Sequence, residues 1–341
     1  MLYFLSDYTE GAHPKLLERL AQTNLVSQPG YGEDEYCASA REKILEACAC
    51  PEGQVFLLVG GTQANLVTIS ALLGRTEAVI CADSGHIAVH EAGAIEYTGH
   101  KVLPLPAADG KLPAVALENY MEAFLANETR AHMTQPGMVY LSQPTELGTL
   151  YSKAELTALY ALCRRYGLKL YIDGARLGYG LMSPQADLTL PELAALCDVF
   201  YIGGTKVGAL CGEALVFPRG DAPRHFLTMT KQQGAMLAKG RLLGAQFDAL
   251  FTDGLYWQLG RWGVDRAMEL KRAFLEKGYP LYMDSPTNQQ FVILSPEQLA
   301  RLRRHAAFEV WEPLPDGRTA VRFVTGWATQ KETVEALIRL L

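Results

Sequence analysis

One lysine lies in a stretch that otherwise consists mainly of small and apolar residues, "CDVFYIGGTKVGALCGEALVF" at 197–217. Residues 199–202 predict a buried strand, and Lys206 follows this strand after two glycines and a threonine. A lysine at such a place can lay its stem on the surface and extend its amine into water. In a dry pocket, by contrast, the pKa of a lysine falls and the amine becomes a nucleophile that forms Schiff bases.

A carboxylate, a guanidinium and an imidazole follow two other strand-like runs. Asp173 comes directly after "LKLYI", and Arg176 follows three residues later. An aspartate there needs a partner, which an ion pair with Arg176 or a helix cap would supply. Alternatively, Asp173 is the anion that holds a protonated ring nitrogen. His86 follows "EAVICA" and precedes Glu91 by five residues, and a lone histidine is most often a hydrogen-bonded polar residue.

Glycines follow a third strand-like run, "QVFLLV", in the stretch "GGTQAN". Gly60 and Gly61 allow a close approach of the backbone, and Thr62 would open the next helix. Free backbone N–H groups and the helix dipole at such a place favour a phosphate. The same residues also form ordinary strand-to-helix turns, and they match neither the dinucleotide fingerprint nor the P-loop.

Strand-like and helix-like runs alternate through the first three quarters of the chain. This alternation, with continuously apolar strands, predicts a mainly parallel sheet that is covered by helices on both faces. One helix is expected between a capping box of Ser152 with Glu155 and a stop at Gly167. Residues 231–276 read as long helices, and the last sixty residues read as α+β. We therefore expect a large domain at 1–250, with an N-terminal arm at 1–14, and a small C-terminal domain at 251–341.

Composition restricts the class of protein. The chain has 341 residues, of which 49% are hydrophobic and 20% charged, and a net charge of -6. These values are typical of a soluble globular protein and argue against nucleic-acid and membrane partners. No apolar run approaches the length of a membrane span. An acidic residue as early as Asp7 interrupts the apolar stretch that a signal peptide would need. The seven cysteines are odd in number, irregularly spaced and lack a metal-binding pattern, so we expect reduced thiols, no metal site and a cytoplasmic protein.

Parallel sheets bind ligands at the carboxyl ends of their strands, so these residues are expected to meet at one edge. A phosphate seat, an acid for a ring nitrogen and a lysine are together what pyridoxal 5′-phosphate (PLP) requires. On this hypothesis Lys206 forms a covalent aldimine with the cofactor, and Asp173 keeps the pyridine nitrogen protonated. The small residues before Lys206 would then leave room for the cofactor ring.

The chain resembles the low-specificity L-threonine aldolases, in the β-eliminating-lyase group of PLP enzymes with the aspartate-aminotransferase-type fold, fold type I. The likeness extends from "SDY" at 6–8 to "RFVTGWAT" at 322–329. The motifs between them are "YGED" at 31–34, "GTQAN" at 61–65, "HIAVHEAGA" at 86–94, "DGARL" at 173–177 and "TK" at 205–206.

The resemblance implies a role for each motif residue. Lys206, Asp173 and His86 would be catalytic, with His86 stacked on the ring face and a candidate base. The expected cofactor contacts are these three residues together with Gly61, Thr62, Arg176 and Lys231. The expected substrate contacts are Ser6, Arg176 and Arg322 at the α-carboxylate, and Tyr31, which would reach an active site from the partner subunit.

The implied activity is that of an aldehyde-lyase. It would cleave L-threonine, L-allo-threonine or a related β-hydroxy-α-amino acid to glycine and an aldehyde, in a homodimer or homotetramer with the active site at the dimer interface. Another PLP enzyme of the same fold, such as a β-eliminating lyase, racemase or aminotransferase, and a PLP-fold protein without turnover are the alternatives.

Three stretches depart from the family pattern. Many aldolases carry a histidine near the substrate hydroxyl, and here the matching stretch is "SQPTELGT", which leaves Thr145 or its neighbours at that place. Thr205 stands where serine is usual, and "KQQGAMLAKG" lacks the usual arginine. These departures concern the substrate and the phosphate.

Overall fold

The computed structural model describes residues 1–341. The strands are β1 (Leu2–Tyr3), β2 (Gln54–Leu58), β3 (Glu77–Ala82), β4 (Lys101–Leu105), β5 (Gln135–Ser142), β6 (Lys169–Asp173), β7 (Val199–Gly203), β8 (Glu213–Phe217), β9 (Leu281–Met283), β10 (Gln289–Leu294), β11 (Ala306–Ala307), β12 (Glu309–Pro313) and β13 (Thr319–Val324). The α-helices are α1 (Pro14–Thr23), α2 (Glu35–Ala47), α3 (Gly61–Leu72), α4 (His86–Val89), α5 (Ala94–Tyr97), α6 (Ala114–Ala126), α7 (Lys153–Tyr166), α8 (Leu177–Leu181), α9 (Leu190–Ala195), α10 (Phe226–Gln232), α11 (Arg241–Leu250), α12 (Leu255–Glu276), α13 (Pro296–Arg303) and α14 (Lys331–Leu340). None of these helices combines the length and the apolar character that a membrane crossing requires.

Seven strands form the central sheet, in the order β2-β8-β7-β6-β5-β3-β4. Four neighbouring pairs, from β7 to β4, are parallel, and only β8 runs against the others, since its pairs with β7 and β2 are antiparallel. The predicted mainly parallel sheet is therefore confirmed.

Both faces of this sheet are buried, which explains why its strands are continuously apolar. On β7, Phe200 and Ile202 pack into one core, while Val199 and Tyr201 pack into the core on the opposite face. The predicted ends of α7 are also confirmed. Its first turn has the capping box of Ser152 and Glu155, and Gly167 ends it in the left-handed conformation with φ 70°.

A second, antiparallel sheet has the order β12-β13-β10-β9 and packs with α12, α13 and α14 around a third core. The N-terminal strand β1 pairs in parallel with β11, and Phe4 lies in this third core. Helix α12 contributes Val264 to the first core and Phe274 to the third. The division into 1–250 and 251–341 remains a prediction, since α12 and the N-terminal arm join both parts.

The glycines before Lys206 have a reason in the backbone. A Cβ at Gly203 would stand 2.6 Å from the carbonyl carbon of Ala175, and one at Gly204 would stand 2.8 Å from the carbonyl oxygen of Gly212. Gly203 and Gly204 are therefore small because neighbouring backbone atoms pack against them. From the sequence alone, we explained the same small residues by space for a cofactor ring.

We expect Gly203→Ala to destabilise the fold by about 1–3 kcal/mol, because the added methyl group meets backbone atoms that cannot rotate away. At about 2–4 °C per kcal/mol, the melting temperature should fall by several degrees. Gly11→Ala is the matched control, since no atom lies within 4 Å of its Cβ position. Equal melting temperatures for the two variants would contradict the steric explanation.

Candidate active site

The predicted edge of the sheet contains a cavity of about 280 Å³. Ser142 and Asp173 are the last residues of β5 and β6, and both lie in its wall. Six of the predicted site residues line this cavity: Gly61, Thr62, His86, Asp173, Arg176 and Lys206. The other four, Ser6, Tyr31, Lys231 and Arg322, do not line it.

The carboxylate of Asp173 is buried and accepts four hydrogen bonds. Its Oδ1 accepts from the hydroxyl of Tyr201 at 2.5 Å and from the N–H of Ala175 at 3.0 Å. Its Oδ2 accepts from the hydroxyl of Tyr140 at 2.6 Å and from the amide of Asn65 at 3.1 Å. Burial raises the pKa of Asp173, but His86 and the two tyrosine hydroxyls outweigh burial and leave this pKa below its usual value. Asp173 therefore stays ionised without an ion pair to Arg176.

The amine of Lys206 is half-buried and donates no hydrogen bond to the protein. Burial lowers its pKa, and the positive charge of Arg176 lowers it further. The backbone is fixed independently, since the hydroxyl of Tyr179 donates to the carbonyl oxygen of Lys206 at 2.6 Å. A nucleophilic amine can thus face the cavity on a rigid support.

Helix α3 presents unbonded N–H groups to the cavity. Its first bonded N–H is that of Ala64, which donates to Gly60 at 2.9 Å, and Gly60 has no side chain to cap the helix. The N–H groups of residues 61–63 accordingly have no acceptor. A Cβ at Gly61 would stand 2.8 Å from the hydroxyl of Tyr201, so glycine is also required by the packing around Asp173.

His86 is oriented by a buried carboxylate. Its Nδ1 lies 2.7 Å from Oε1 of Glu91, and the same oxygen accepts from Asn65 at 2.6 Å. Asn65 therefore connects Glu91 to Asp173. Burial lowers the pKa of His86, but Glu91 and Asp173 outweigh burial and raise this pKa above its usual value. The sequence had offered Glu91 only by its spacing from His86.

Arg176 is held by the N-terminal arm. Its Nε and Nη2 donate to the two carboxylate oxygens of Asp7 at 2.8 and 3.0 Å, and Nη1 makes no hydrogen bond. Asn288 also donates to Asp7, at 2.9 Å. Sequence reasoning missed Asp7, although it directly follows the predicted Ser6.

The four residues outside the cavity wall lie in three different places. Arg322 donates to Gln289 at 2.7 Å and forms an ion pair with Glu309. Burial lowers the pKa of Arg322, and the nearby charge of Arg176 lowers it further. Tyr31 and Lys231 are exposed and contact each other, with the amine 4.5 Å from the ring centre. Ser6 is partly buried next to Asp7. The substrate, phosphate and partner roles of these residues stay predictions.

Two further acids in the cavity wall were missed. Glu213 accepts from the hydroxyl of Thr205 at 2.8 Å and from the N–H of Gly204 at 3.1 Å, and burial raises its pKa to about 8. The signal for it was an acid at the start of the apolar strand "EALVF". Glu146 lies in the departing stretch "SQPTELGT", whereas the hydroxyl of its neighbour Thr145 is taken by Thr149 at 2.7 Å.

The donor set of this cavity fits PLP. Lys206 offers an amine to the cofactor aldehyde, Asp173 an ionised carboxylate to a protonated ring nitrogen, and α3 free N–H groups to a phosphate. Together the mixed, mostly parallel sheet and this site define a PLP-dependent enzyme of fold type I.

Comparison with known proteins identifies the family. The sequence model of the beta-eliminating lyase family matches residues 4–308, and the chain belongs to this family. A solved threonine aldolase of Leishmania major is 42% identical with a TM-score of 0.95, and the match covers 100% of this chain and 99% of that one. The low specificity L-threonine aldolase of Pseudomonas aeruginosa is 29% identical over 98% of this chain and 96% of its own length. A solved aspartate aminotransferase of Thermus thermophilus, 14% identical with a TM-score of 0.70 over 100% of this chain and 92% of its own, shares the fold.

We expect Glu91→Gln to lower the pKa of His86, because the variant removes one of the two negative charges that offset burial, while Asp173 remains. Histidine NMR titration, with His86→Gln to assign the signal, measures this change. Since the folded pKa is raised, the ion pair stabilises the fold below the ordinary histidine pKa, and this contribution is lost as the pH rises through the folded value. Glu96→Gln, at an exposed position, should leave the His86 titration unchanged. An unchanged His86 titration in Glu91→Gln would show that Glu91 does not set the charge of the imidazole.

Proposed function

We propose that this protein is an aldehyde-lyase that cleaves L-threonine, L-allo-threonine or a related β-hydroxy-α-amino acid to glycine and an aldehyde. The observation that carries the proposal is the cavity that brings Lys206, Asp173 and His86 together. It occurs in a chain that is 42% identical, over its full length, to a threonine aldolase.

PLP, when bound, supplies a ring that accepts the electron pair of a bond broken at the substrate Cα. Lys206 would hold the cofactor, Asp173 would keep its ring nitrogen protonated, and Gly61 and Thr62 would bind its phosphate through their N–H groups. His86, fixed by Glu91, would lie against the ring face. These four groups are preorganised, so their orientation costs little when the substrate binds.

The substrate carboxylate would be bound by arginines. Nη1 of Arg176 makes no bond within the chain, and Asp7 fixes the rest of this guanidinium. Arg322, which is close enough to Arg176 to feel its charge, and Ser6, which precedes Asp7, would complete the contact. A guanidinium suits this role because it meets a carboxylate with parallel N–H groups.

We infer that the active enzyme is a homodimer or a dimer of dimers with its sites at the interface. Tyr31 is 51% exposed although it is a large aromatic residue, and exposed Leu227 lines a small pocket with it. An aromatic and aliphatic surface of this kind favours a protein partner. Tyr31 and its neighbour Lys231 would then serve the partner's site. The seven unpaired cysteines favour the cytoplasm.

We expect the purified, PLP-loaded protein to release acetaldehyde from L-threonine and L-allo-threonine, measured by coupling to alcohol dehydrogenase. Lys206→Ala should reduce the rate at least about 10³-fold, because no other amine lines the cavity. Lys277→Ala, at an exposed position on the far end of α12, is the matched control and should retain full activity.

A wild type that binds PLP but releases no aldehyde from either isomer would refute threonine as the substrate. Bulkier β-hydroxy amino acids and then alanine racemisation would be assayed next. Turnover that survives in Lys206→Ala would refute the role of this lysine.

We also expect Tyr31→Ala and Lys206→Ala, each nearly inactive, to restore part of the activity when they are mixed under exchange conditions. A mixed dimer would carry both lesions in one site and none in the other. Measured rates that remain at the sum of the two single variants would contradict a role of Tyr31 in the partner's site.

A further inference from the structure

Besides Nη1 of Arg176, three ionisable atoms of the cavity lining are left without a hydrogen bond. They are Nζ of Lys206, Nε2 of His86 and Oε2 of Glu146. Asp173 and Glu213, the other cavity acids, have both oxygens bonded. The hydroxyl of Tyr8 is also free, but its side chain is 57% exposed at the mouth. The function proposed above uses Lys206 and His86 and leaves Glu146 without a role.

Glu146 is held firmly by one oxygen. Its Oε1 accepts from the hydroxyl of Ser142 at 2.6 Å and from the backbone N–H of His86 at 2.9 Å. Its Oε2 accepts no hydrogen bond from another residue and is accessible from the cavity. A carboxylate with one oxygen fixed and the other free is oriented to receive a proton from a bound ligand.

The competing group in the cavity is His86. Its Nδ1 is bound to the buried carboxylate of Glu91, an arrangement that favours the protonated imidazolium. An imidazolium has no free electron pair and cannot accept a further proton. Glu146, beside it, can accept one whenever it is ionised.

The surroundings of Glu146 raise its pKa above the usual value. Burial raises its pKa above the usual value and the charge of Asp173 raises it as well, whereas the hydroxyl of Ser142, its own backbone N–H and the charge of His86 lower it. The titratable groups around it are His86 on α4, Asp173 on β6, Tyr140 on β5, Tyr151 in the following loop and Cys81 on β3. A carboxyl group with a raised pKa is a better base near neutral pH than a carboxylate in water.

We propose that Glu146 is the catalytic base that takes the β-hydroxyl proton of the substrate, which deepens the function proposed above and rests on it. The hydroxyl proton passes to Oε2, and the O–H electron pair becomes the second bond of the aldehyde carbonyl. The Cα–Cβ electron pair stays with Cα, which later takes a proton to give glycine. The backbone N–H of His86 donates to Glu146, and the imidazole ring of His86 would lie against the face of the cofactor.

The test compares two reactions of the same site in the PLP-loaded protein. Cleavage of L-threonine needs a base for the hydroxyl, whereas exchange of the glycine α-proton with D₂O, followed by NMR, involves no hydroxyl. In Glu146→Gln we expect kcat/KM for cleavage to fall about 10²–10⁴-fold, mostly in kcat. Glycine exchange and the PLP affinity, measured by absorbance, should stay within about threefold. Glu128→Gln, at an exposed position, is the matched control.

Glu146→Asp keeps the carboxylate and therefore distinguishes loss of the base from a purely structural effect of the substitution. It should cleave threonine more slowly than the wild type and faster than Glu146→Gln. Because the base must be ionised, kcat/KM should fall as the pH drops through the raised pKa of Glu146. This acid limb should persist in the aspartate variant and disappear from the residual activity of the glutamine variant.

Each outcome separates the two proposals. An active wild type with an equally active Glu146→Gln overturns the role of Glu146 and leaves the proposed function intact. Equal losses of cleavage and glycine exchange also overturn it, since they indicate a structural role. A wild type that exchanges glycine but cleaves neither threonine isomer overturns the proposed substrate and this inference with it.

Discussion

The buried charge of Asp173 is the constraint on which the rest of the site depends. An ionised carboxylate in the interior costs several kcal/mol unless donors replace its water. Here the donors come from four places: Tyr140 on β5, Tyr201 on β7, Asn65 on α3 and the N–H of Ala175. One charge therefore couples the register of three parallel strands to the position of α3. Because α3 also presents the free N–H groups, the acid and these N–H groups share a single rigid frame.

With its ligands bound, the cavity would hold more negative charge than its cations balance if every acid were ionised. Lys206, Arg176 and a protonated His86 would balance the charges of Asp173, Glu146 and Glu213, and a bound phosphate and a substrate carboxylate would then add negative charge. Burial raises the pKa of Glu146 above its usual value and that of Glu213 to about 8, so the neutral form of Glu213 becomes accessible near neutral pH. Burial lowers the pKa of Lys206 in the same cavity. Desolvation thus shifts the pKa values of the two acids and of the lysine toward one another, as is common in active sites.

Strand ends could be read from the sequence because local patterns determine them. Apolar runs closed by Gly, Asp or Lys placed Gly61, Asp173 and Lys206 at one edge of the sheet, and the caps of α7 were equally local. The partners of Asp173 could not be found in this way. Tyr140 and Asn65 lie inside a strand and a helix, and only the pairing of β5 with β6 brings the tyrosine hydroxyl to the carboxylate. Strand β4, "KVLPL", was not identified from the sequence, and its proline is tolerated because β4 lies at the edge of the sheet.

The residues around Arg176 could not be predicted from the ends of strands, for a different reason. Asp7 lies in an arm whose strand β1 pairs with β11, and it binds Arg176 after the end of β6 as well as Asn288 just before β10. Asn288 in turn donates to the carbonyl oxygen of Thr325, beyond β13. The arginine nearest to Lys206 is therefore fixed by residues from both ends of the chain. Lys206, Asp173 and Gly61 lie at the edge of one sheet and can be predicted from short motifs. The surroundings of Arg176, by contrast, form only when the central sheet and the antiparallel sheet have packed together.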